Sequence, residues 1–402
     1  MIVSQIVSQL VPNQILYTSP KNFNGELGFP LSILQIESYY PTTIQTLKTL
    51  LYAFYKAFFV VPSYDIIILE YGIDHPGEMQ SMLDIVIPDI AIWTGLDYVH
   101  VSQFENIEHI AHEKAQLVLS AKKLACICID HPLCSAYVDQ ITVDCLTFSI
   151  ATQVGDLHIQ LSDIIYTDRW FVSHTQIDVW KNTYMLQSNL ILDHDLTYAG
   201  LACTIADIVA YQKIGKTIQN DVTSHIINQW GRFNILQGIQ KSILIDSTYN
   251  ATPQSMYTIL SQTRQMAIRY FWDYRLVIVL GQMNELGDQA ILAHQALAKE
   301  IVWHVQDVIL YGKSMQDYLG DELISKWYPR DHIHFPQDRA EIIHKLHAII
   351  ATSIQPCLIL FKGSQSGNYL EECIKPFLYH DQDVNQLIRQ DRRWLKKKWI
   401  SA

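Results

Sequence analysis

The chain has 402 residues, with 29 Lys+Arg against 40 Asp+Glu for a net charge of −11, and it is 49% hydrophobic and 17% charged. At roughly 150 residues per domain this length suggests two or three domains, and the composition excludes extensive disorder. The acidic balance argues against a general nucleic-acid binder, which needs a basic face to displace counterions. No apolar run approaches the length of a membrane span, and the first thirty residues lack the layout of a signal peptide. Seven cysteines without a CxxC pair make neither a disulfide framework nor a standard zinc site. The expectation is a soluble protein of a reducing compartment, the cytoplasm.

In chain order, short apolar runs of strand length alternate with segments of helical spacing. The clearest are Asp65-Ile-Ile-Ile-Leu-Glu70, Asp89-Ile-Ala-Ile-Trp93, Ser242-Ile-Leu-Ile-Asp246, Arg275-Leu-Val-Ile-Val-Leu280 and Cys357-Leu-Ile-Leu-Phe361. Such runs predict strands buried on both faces, in a parallel sheet covered by helices. Each is followed at once by polar or glycine residues, and in open α/β sheets ligands gather at those strand ends. The stretch from about Ile141 to Leu192 alternates β-formers and reads as an antiparallel insertion or sheet extension. A helix is predicted around Tyr198–Tyr211, with small residues that permit close packing. The second group of buried strands starts after Gly231-Arg232-Phe233, which puts the domain boundary near residue 230. The tail, with Arg389, Arg392, Arg393 and Lys396–Lys398 around Trp394 and Trp399, reads as a solvated terminal helix rather than a nucleic-acid patch.

Three polar residues stand out. Glu70 ends a very hydrophobic strand, and it is either a loop carboxylate or a metal ligand held rigidly at a cleft. From Phe104 to Ala121 the apolar residues Ile107, Ile110, Ala111, Leu117, Val118 and Ala121 trace one helical stripe, and Lys114 lies on it. That lysine either snorkels past the core edge or is aimed into a site. His100 lies between the strand ending at Trp93 and this helix, one of 16 histidines, and gains interest only by position. Convergence of the three on one strand-end cleft is not decided by spacing.

At this point the residues resemble the Mur ligase family, and within it the MurF type. Ser19-Pro-Lys-Asn-Phe-Asn-Gly-Glu-Leu-Gly-Phe-Pro-Leu31 is similar to TPGNFNNxxGxPL, and Leu69-Glu-Tyr-Gly-Ile-Asp-His-Pro-Gly-Glu78 to LELGxxxPGE. Ile245-Asp-Ser-Thr-Tyr-Asn-Ala-Thr-Pro-Gln-Ser-Met256 resembles IDDSYNANPxSM. Val279-Leu-Gly-Gln-Met-Asn-Glu-Leu-Gly287 resembles VLGDMxELG, and Phe361-Lys-Gly-Ser364 resembles VKGS. The resemblance implies an α/β fold: a Mur-ligase-like central domain over 1–230, with a mostly parallel, helix-covered sheet truncated at its start, and a Rossmann-like C-terminal domain over 231–402.

It also implies a function. The family passes the γ-phosphate of ATP to a carboxylate and lets an amine attack the acyl phosphate, with magnesium and fixed cations stabilising the charge. The substrates implied are UDP-MurNAc-tripeptide and D-alanyl-D-alanine, in peptidoglycan synthesis. Glu70 matches the family's metal-site glutamate, and His100 the histidine near the second Mg2+. Lys114 matches the lysine that becomes a carbamate. Arg232, Asp246 and Asn250 match positions that reach the nucleotide, and Asn22 and Asn24 lie in the segment next to the family's phosphate loop.

Departures cluster on the nucleotide side. No GxxxxGK[ST] occurs, Met1–Leu10 reads as the remainder of the helix that follows such a loop, and the family's small UDP-binding domain has no counterpart. HNxxNA appears as His194-Asp-Leu-Thr-Tyr-Ala199; Ser247 replaces an Asp, Thr252 an Asn, and Gly281-Gln282-Met283 stands for GDM. Two expectations follow. One is a ligase whose missing segment acts in cis or as a separate N-terminal fragment. The alternative is a degenerate, non-catalytic binding or scaffold subunit.

Overall fold

A computed structural model of the chain describes residues 2–18, 25–36, 43–61, 63–96, 101–152, 154–166, 171–180, 182–215, 217–218, 220–224, 231–284, 286–364 and 367–400. It divides into two compact units. The first is Met1–Ile165 with Phe171–Ile226, and the second is Ile227–Ala402 with Tyr166–Trp170.

In the first unit, β1 (Leu16–Thr18) pairs in parallel with β2 (Ile66–Ile68). A second sheet runs β3 (Ile90–Trp93), β4 (Leu124–Cys128), β5 (Asp144–Phe148), all parallel. A third runs β6 (Leu157–Tyr166), β7 (Phe171–Val179), β8 (Asn182–Ser188), β9 (Asp221–Ser224), with β7 and β8 antiparallel and β8 and β9 parallel. The sheet extension expected over 141–192 is thus built from β6 to β8, while β5 joins the parallel sheet.

Two expected strands are less buried than their composition suggests. The three isoleucines of β2 are only half-buried, because β2 has β1 as its one strand neighbour among the described residues. Strand β3 alternates, burying Ala91 and Trp93, as an edge strand does. The fully buried strand of this sheet is the central one, β4.

The helix expected near 198 begins earlier and spans Asp193–Ile214. Its small residues serve the close approach expected of them: a Cβ on Gly200 would stand 2.9 Å from Leu157 Cδ1 and 3.0 Å from Ile177 Cγ2. Helix Ile2–Leu10 adds Ile6 and Val7 to the same core, beside Leu196, Ala199, Ala202 and Cys203.

The second unit holds one six-stranded sheet. Its strands are β10 (Asn234–Gln237), β11 (Ile243–Ser247), β12 (Arg275–Gly281), β13 (Asp307–Tyr311), β14 (Ile333–His334) and β15 (Cys357–Lys362). The order is β10-β11-β15-β12-β13-β14, and only β10 runs antiparallel. Every residue of β11 and β15 is buried, as is β12 beyond Arg275, which matches the reading of these runs as interior parallel strands. Adjacent parallel strands end together, so Ser247, Lys362 and Gly281 are delivered to one edge.

Gly155, in the turn from β5 to β6, has φ +121°, and a Cβ there would meet the Thr147 carbonyl oxygen at 2.7 Å. Backbone cannot swing aside as a side chain can. Gly155→Ala should therefore cost about 2 kcal/mol or more of stability, measured by urea denaturation. An unchanged midpoint would contradict this packing.

Candidate functional site

In the first unit the chemistry-bearing residues gather along two segments. Glu70 lies two residues beyond the end of β2 and is exposed. Lys114 rides on helix Ile107–Leu119, whose start is set by Asn106: the Asn106 side chain accepts from the His109 amide at 2.8 Å. Ile110, Ala111, Ala115 and Val118 form the buried face, and Lys114 sits half-buried beside it. Its cation favours the Cys134 thiolate, although burial dominates and pushes that thiol up to about 12. His100, Asn22 and Asn24 lie outside the described residues.

The residue that joins the two segments is Glu113, which the sequence reading passed over. It is buried, and its Oε1 accepts the amides of Gly77 and Met79 at 2.9 and 3.0 Å. Those donors open helix Glu78–Ile85, so a carboxylate here satisfies orphan N–H groups and meets the positive helix end. Glu78 does the same for the preceding turn: burial works against its charge, but the amides of Asp74 and His75 hold its pKa below the ordinary value. The segment running from Glu70 to Glu78 is therefore anchored to the residue next to Lys114. A signal existed: Glu113 is i+3 from Ile110 and i−4 from Leu117, spacing as apolar as that of Lys114.

A polar set collects at the ends of β3, β4 and β5. Asp130 accepts from the Ser149 hydroxyl at 2.5 Å and the Ile150 amide at 3.0 Å. Burial, with Cys128, Asp195 and Asp130 nearby, pushes the Tyr198 hydroxyl up to about 12. Burial disfavours the His194 imidazolium, yet Asp195 at 3.0 Å and Asp193 push its pKa up. Asp195 and Tyr198 are the two departures from HNxxNA, and both face this strand-end set.

The second unit has its own site where β11 and β15 end. Asp246 is fully buried. Its Oδ1 accepts from the Thr248 amide at 3.0 Å and hydroxyl at 2.6 Å, while Oδ2 has no hydrogen-bond partner among the described residues. Burial raises its pKa to about 6. Lys362, also buried, donates to the Asn250 carbonyl at 2.8 Å, and burial together with the Arg232 charge lowers it to about 8. Arg232 is exposed and lies over the Tyr249 ring at 4.5 Å. Asn250 is exposed and folds its Oδ1 onto the Ala251 amide at 2.9 Å. Arg232, Asp246 and Asn250 thus surround one loop, joined by Lys362.

The expectation of a solvated basic terminal helix holds for Arg392 and Lys396, which are exposed, and is corrected at Arg389 and Lys398. Arg389 is buried and forks onto buried Glu371 at 2.8 and 2.6 Å, and it also donates to the carbonyls of Thr248 and Tyr249 at 2.8 and 3.3 Å. Lys398, buried too, reaches Glu371 at 2.8 Å and Glu372 at 2.6 Å. A planar guanidinium suits this because it satisfies a carboxylate and two carbonyls at once. The tail clamps the loop that follows Asp246.

Comparison with known proteins bears on both units. The Mur ligase middle domain profile matches residues 6–206, and that of the Mur ligase glutamate ligase domain matches residues 231–365. The UDP-N-acetylmuramoyl-tripeptide–D-alanyl-D-alanine ligase of Bacillus subtilis (strain 168) is 23% identical over 89% of this chain and 68% of its own length. The Escherichia coli K12 protein of that name is 22% identical over 90% and 70%. For the Borreliella burgdorferi relative the chain spans only 58% of its length, at 22% identity. Among solved structures, MurF from Thermotoga maritima in complex with ADP superposes with a TM-score of 0.64 at 18% identity, covering 99% of this chain and 78% of that one. MurF from Acinetobacter baumannii gives 0.63 at 18%, covering 92% and 72%. These likenesses show a shared α/β fold.

Two outcomes follow from the second unit. A carboxyl whose folded pKa is raised contributes stability that is present below its unfolded pKa and lost as pH rises through about 6. Asp246→Asn should therefore gain on the wild type by about 2 kcal/mol between pH 4 and pH 7.5 in urea denaturation; parallel pH profiles would contradict it. Arg389→Ala leaves Glu371 short of its main partner and should cost about 3–5 kcal/mol, with Arg389→Lys costing less. Thermal melts of the three proteins check this order.

Proposed function

The chain belongs to the Mur ligase family, and on that premise we propose that it joins D-alanyl-D-alanine to UDP-MurNAc-tripeptide with cleavage of ATP, in peptidoglycan precursor synthesis. The observation that carries this reading is the match to ligases of that name across 89–90% of the chain, through both units in order. In the proposed reaction a peptide carboxylate oxygen attacks the γ-phosphorus and ADP leaves. The amine of D-alanyl-D-alanine then adds to the acyl carbon, loses a proton, and expels phosphate. Most of the catalytic help in such a sequence is positioning and charge stabilisation.

The residue roles belong to the same proposal. Asp246, Asn250 and Arg232 form the nucleotide-facing loop of the second unit, with Lys362 fixing its backbone from beneath. Glu70, with His100, serves Mg2+, which takes one or two protein carboxylates and completes its shell with phosphate oxygens and water. The ion would neutralise charge building on the transferred phosphoryl group. For Lys114 we assign a carbamate: the ammonium gives up one proton, the free amine nitrogen bonds to the carbon of CO2, and a second proton leaves, so that a cation becomes an anion. What supports this role over snorkelling is the match of Lys114 to the family's carbamate lysine; its half-buried place beside an apolar face is compatible with both.

The 402 residues contain no GxxxxGK[ST], so the phosphate-cradling role is assigned to a segment supplied in cis or as a separate N-terminal fragment. No helix among the described residues is long and apolar enough to cross a membrane. The cytoplasm, which supplies ATP and keeps thiols reduced, is the compartment assigned.

The test is ADP release from ATP, UDP-MurNAc-tripeptide and D-alanyl-D-alanine, with and without the amino-terminal fragment of an intact relative. ADP release that requires both acceptor and amine is the expected result. Silence in both mixtures would favour the non-catalytic binding subunit. In an active mixture, Lys114→Ala should lower the rate at least 100-fold, with partial recovery on adding short carboxylates. Full activity without Lys114 would remove the carbamate.

A further inference from the structure

Helix Thr43–Phe59 of the first unit is turned inside out. Its half-buried positions are Thr46, Thr49, Ala53 and Lys56, one side of the helix by spacing. Its apolar stripe points the other way. Leu47, Leu51, Phe54 and Phe58 are 60%, 63%, 62% and 69% exposed, flanked by exposed Leu50 and Tyr55. An amphipathic helix of a self-sufficient domain does the opposite, burying its stripe against the core.

The extent of this face exceeds ordinary surface apolarity. At 150–250 Å² for a large side chain, the stripe and its flanks expose on the order of 700–1,000 Å². Monomers rarely show more than a few hundred in one patch, and a stable dimer needs about 800 Å² per partner. The stripe itself carries no charge. The helix contains no acidic residue and two lysines. Of these, Lys56 is drawn inward by the carbonyls of Leu34 and Gln35 at 2.9 and 3.1 Å.

We propose that this helix pairs with the same helix of a second copy of the chain, antiparallel about a two-fold axis. The inference stands apart from the ligase reading. Three observations select this occupant. The stripe has the 4-3-4 spacing of a helix-pair seam, from 47 to 51 to 54 to 58. In an antiparallel pair Leu47 of one copy meets Phe58 of the other, and Leu51 meets Phe54, so every layer sums one leucine and one phenylalanine. A two-fold interface demands this reciprocity. A parallel pair would instead stack phenylalanine on phenylalanine and leave the leucine layers thin. Thirdly, Lys48 of one copy lies about 14 Å along the axis from its equivalent, beyond the screening length at physiological salt. An anionic bilayer is the less favoured occupant, since a chain of net charge −11 offers it only these two lysines on the helix.

The experiment uses the 402-residue chain in light scattering after gel filtration, from 1 to 100 μM and at low and high salt. A dimer is expected, held or strengthened by salt, because two bodies of −11 repel less when screened. Leu51→Glu with Phe54→Glu should give a monomer that keeps the wild-type circular dichroism spectrum and melts cooperatively at a temperature independent of protein concentration, since both side chains are exposed. Mixed single variants Leu47→Cys and Phe58→Cys should form a disulfide between unlike chains, and neither variant alone should, since like positions stand about 16 Å apart along the axis. A monomer at every concentration, a dimer untouched by the glutamates, or cross-linking only between like positions would each overturn the proposal. So would a monomeric chain captured by anionic vesicles.

Discussion

A carboxylate taken out of water must be neutralised or paired, and two buried ones, Asp246 and Glu371, govern the second unit. Glu371 is met by the fork of Arg389 and the ammonium of Lys398. Because the same guanidinium also holds the carbonyls of Thr248 and Tyr249, the pairing of Glu371 fixes the loop that Asp246 begins. Asp246 itself is left half-satisfied, with one oxygen bound by Thr248 and the other without a partner among the described residues. Such an atom is costly in a purely structural role and useful at a loop that takes a polar ligand. Lys362 supplies a nearby counter-charge whose own pKa is lowered, so the edge where the strands end is polar and poorly hydrated.

The first unit applies the same physics with a different partner. There the buried acid is Glu113, and its partners are backbone amides at the start of a helix rather than an arginine. The result is mechanical: the turn and helix start at Gly77–Met79, downstream of Glu70, are tied to the helix that bears Lys114. In both units a buried carboxylate with no evident chemistry of its own positions residues that are proposed to have some.

What could be read from the sequence followed from what burial demands locally. β11, β12 and β15 were legible because an interior parallel strand needs an apolar residue at nearly every position, and their runs supply it. β2 and β3 have equally apolar sequences but lie near an edge, and no local pattern distinguishes an edge from a centre. Strand β4, Leu-Ala-Cys-Ile-Cys, is the most buried of its sheet yet its small and sulfur-bearing residues make a weak signal. The motif segments located Asp246 and Asn250 by resemblance, while Lys362 was quoted within one of them and its burial went unread. Arg389 and Lys398 escaped because a buried cation is recognisable only from its partner, and Glu371 is 18 residues from Arg389. The helix over 43–59 fails for a related reason. A stripe of leucine and phenylalanine looks the same whether it faces a core or the outside.

The decisive measurement follows an oxygen atom. If this chain, completed by its phosphate-cradling segment, joins a carboxylate to an amine through an acyl phosphate, the leaving phosphate carries away one carboxylate oxygen. With 18O in the peptide carboxylate, mass spectrometry of the inorganic phosphate should find one 18O for each amide formed. Amide formed with unlabelled phosphate, or phosphate released without amide, would contradict the account.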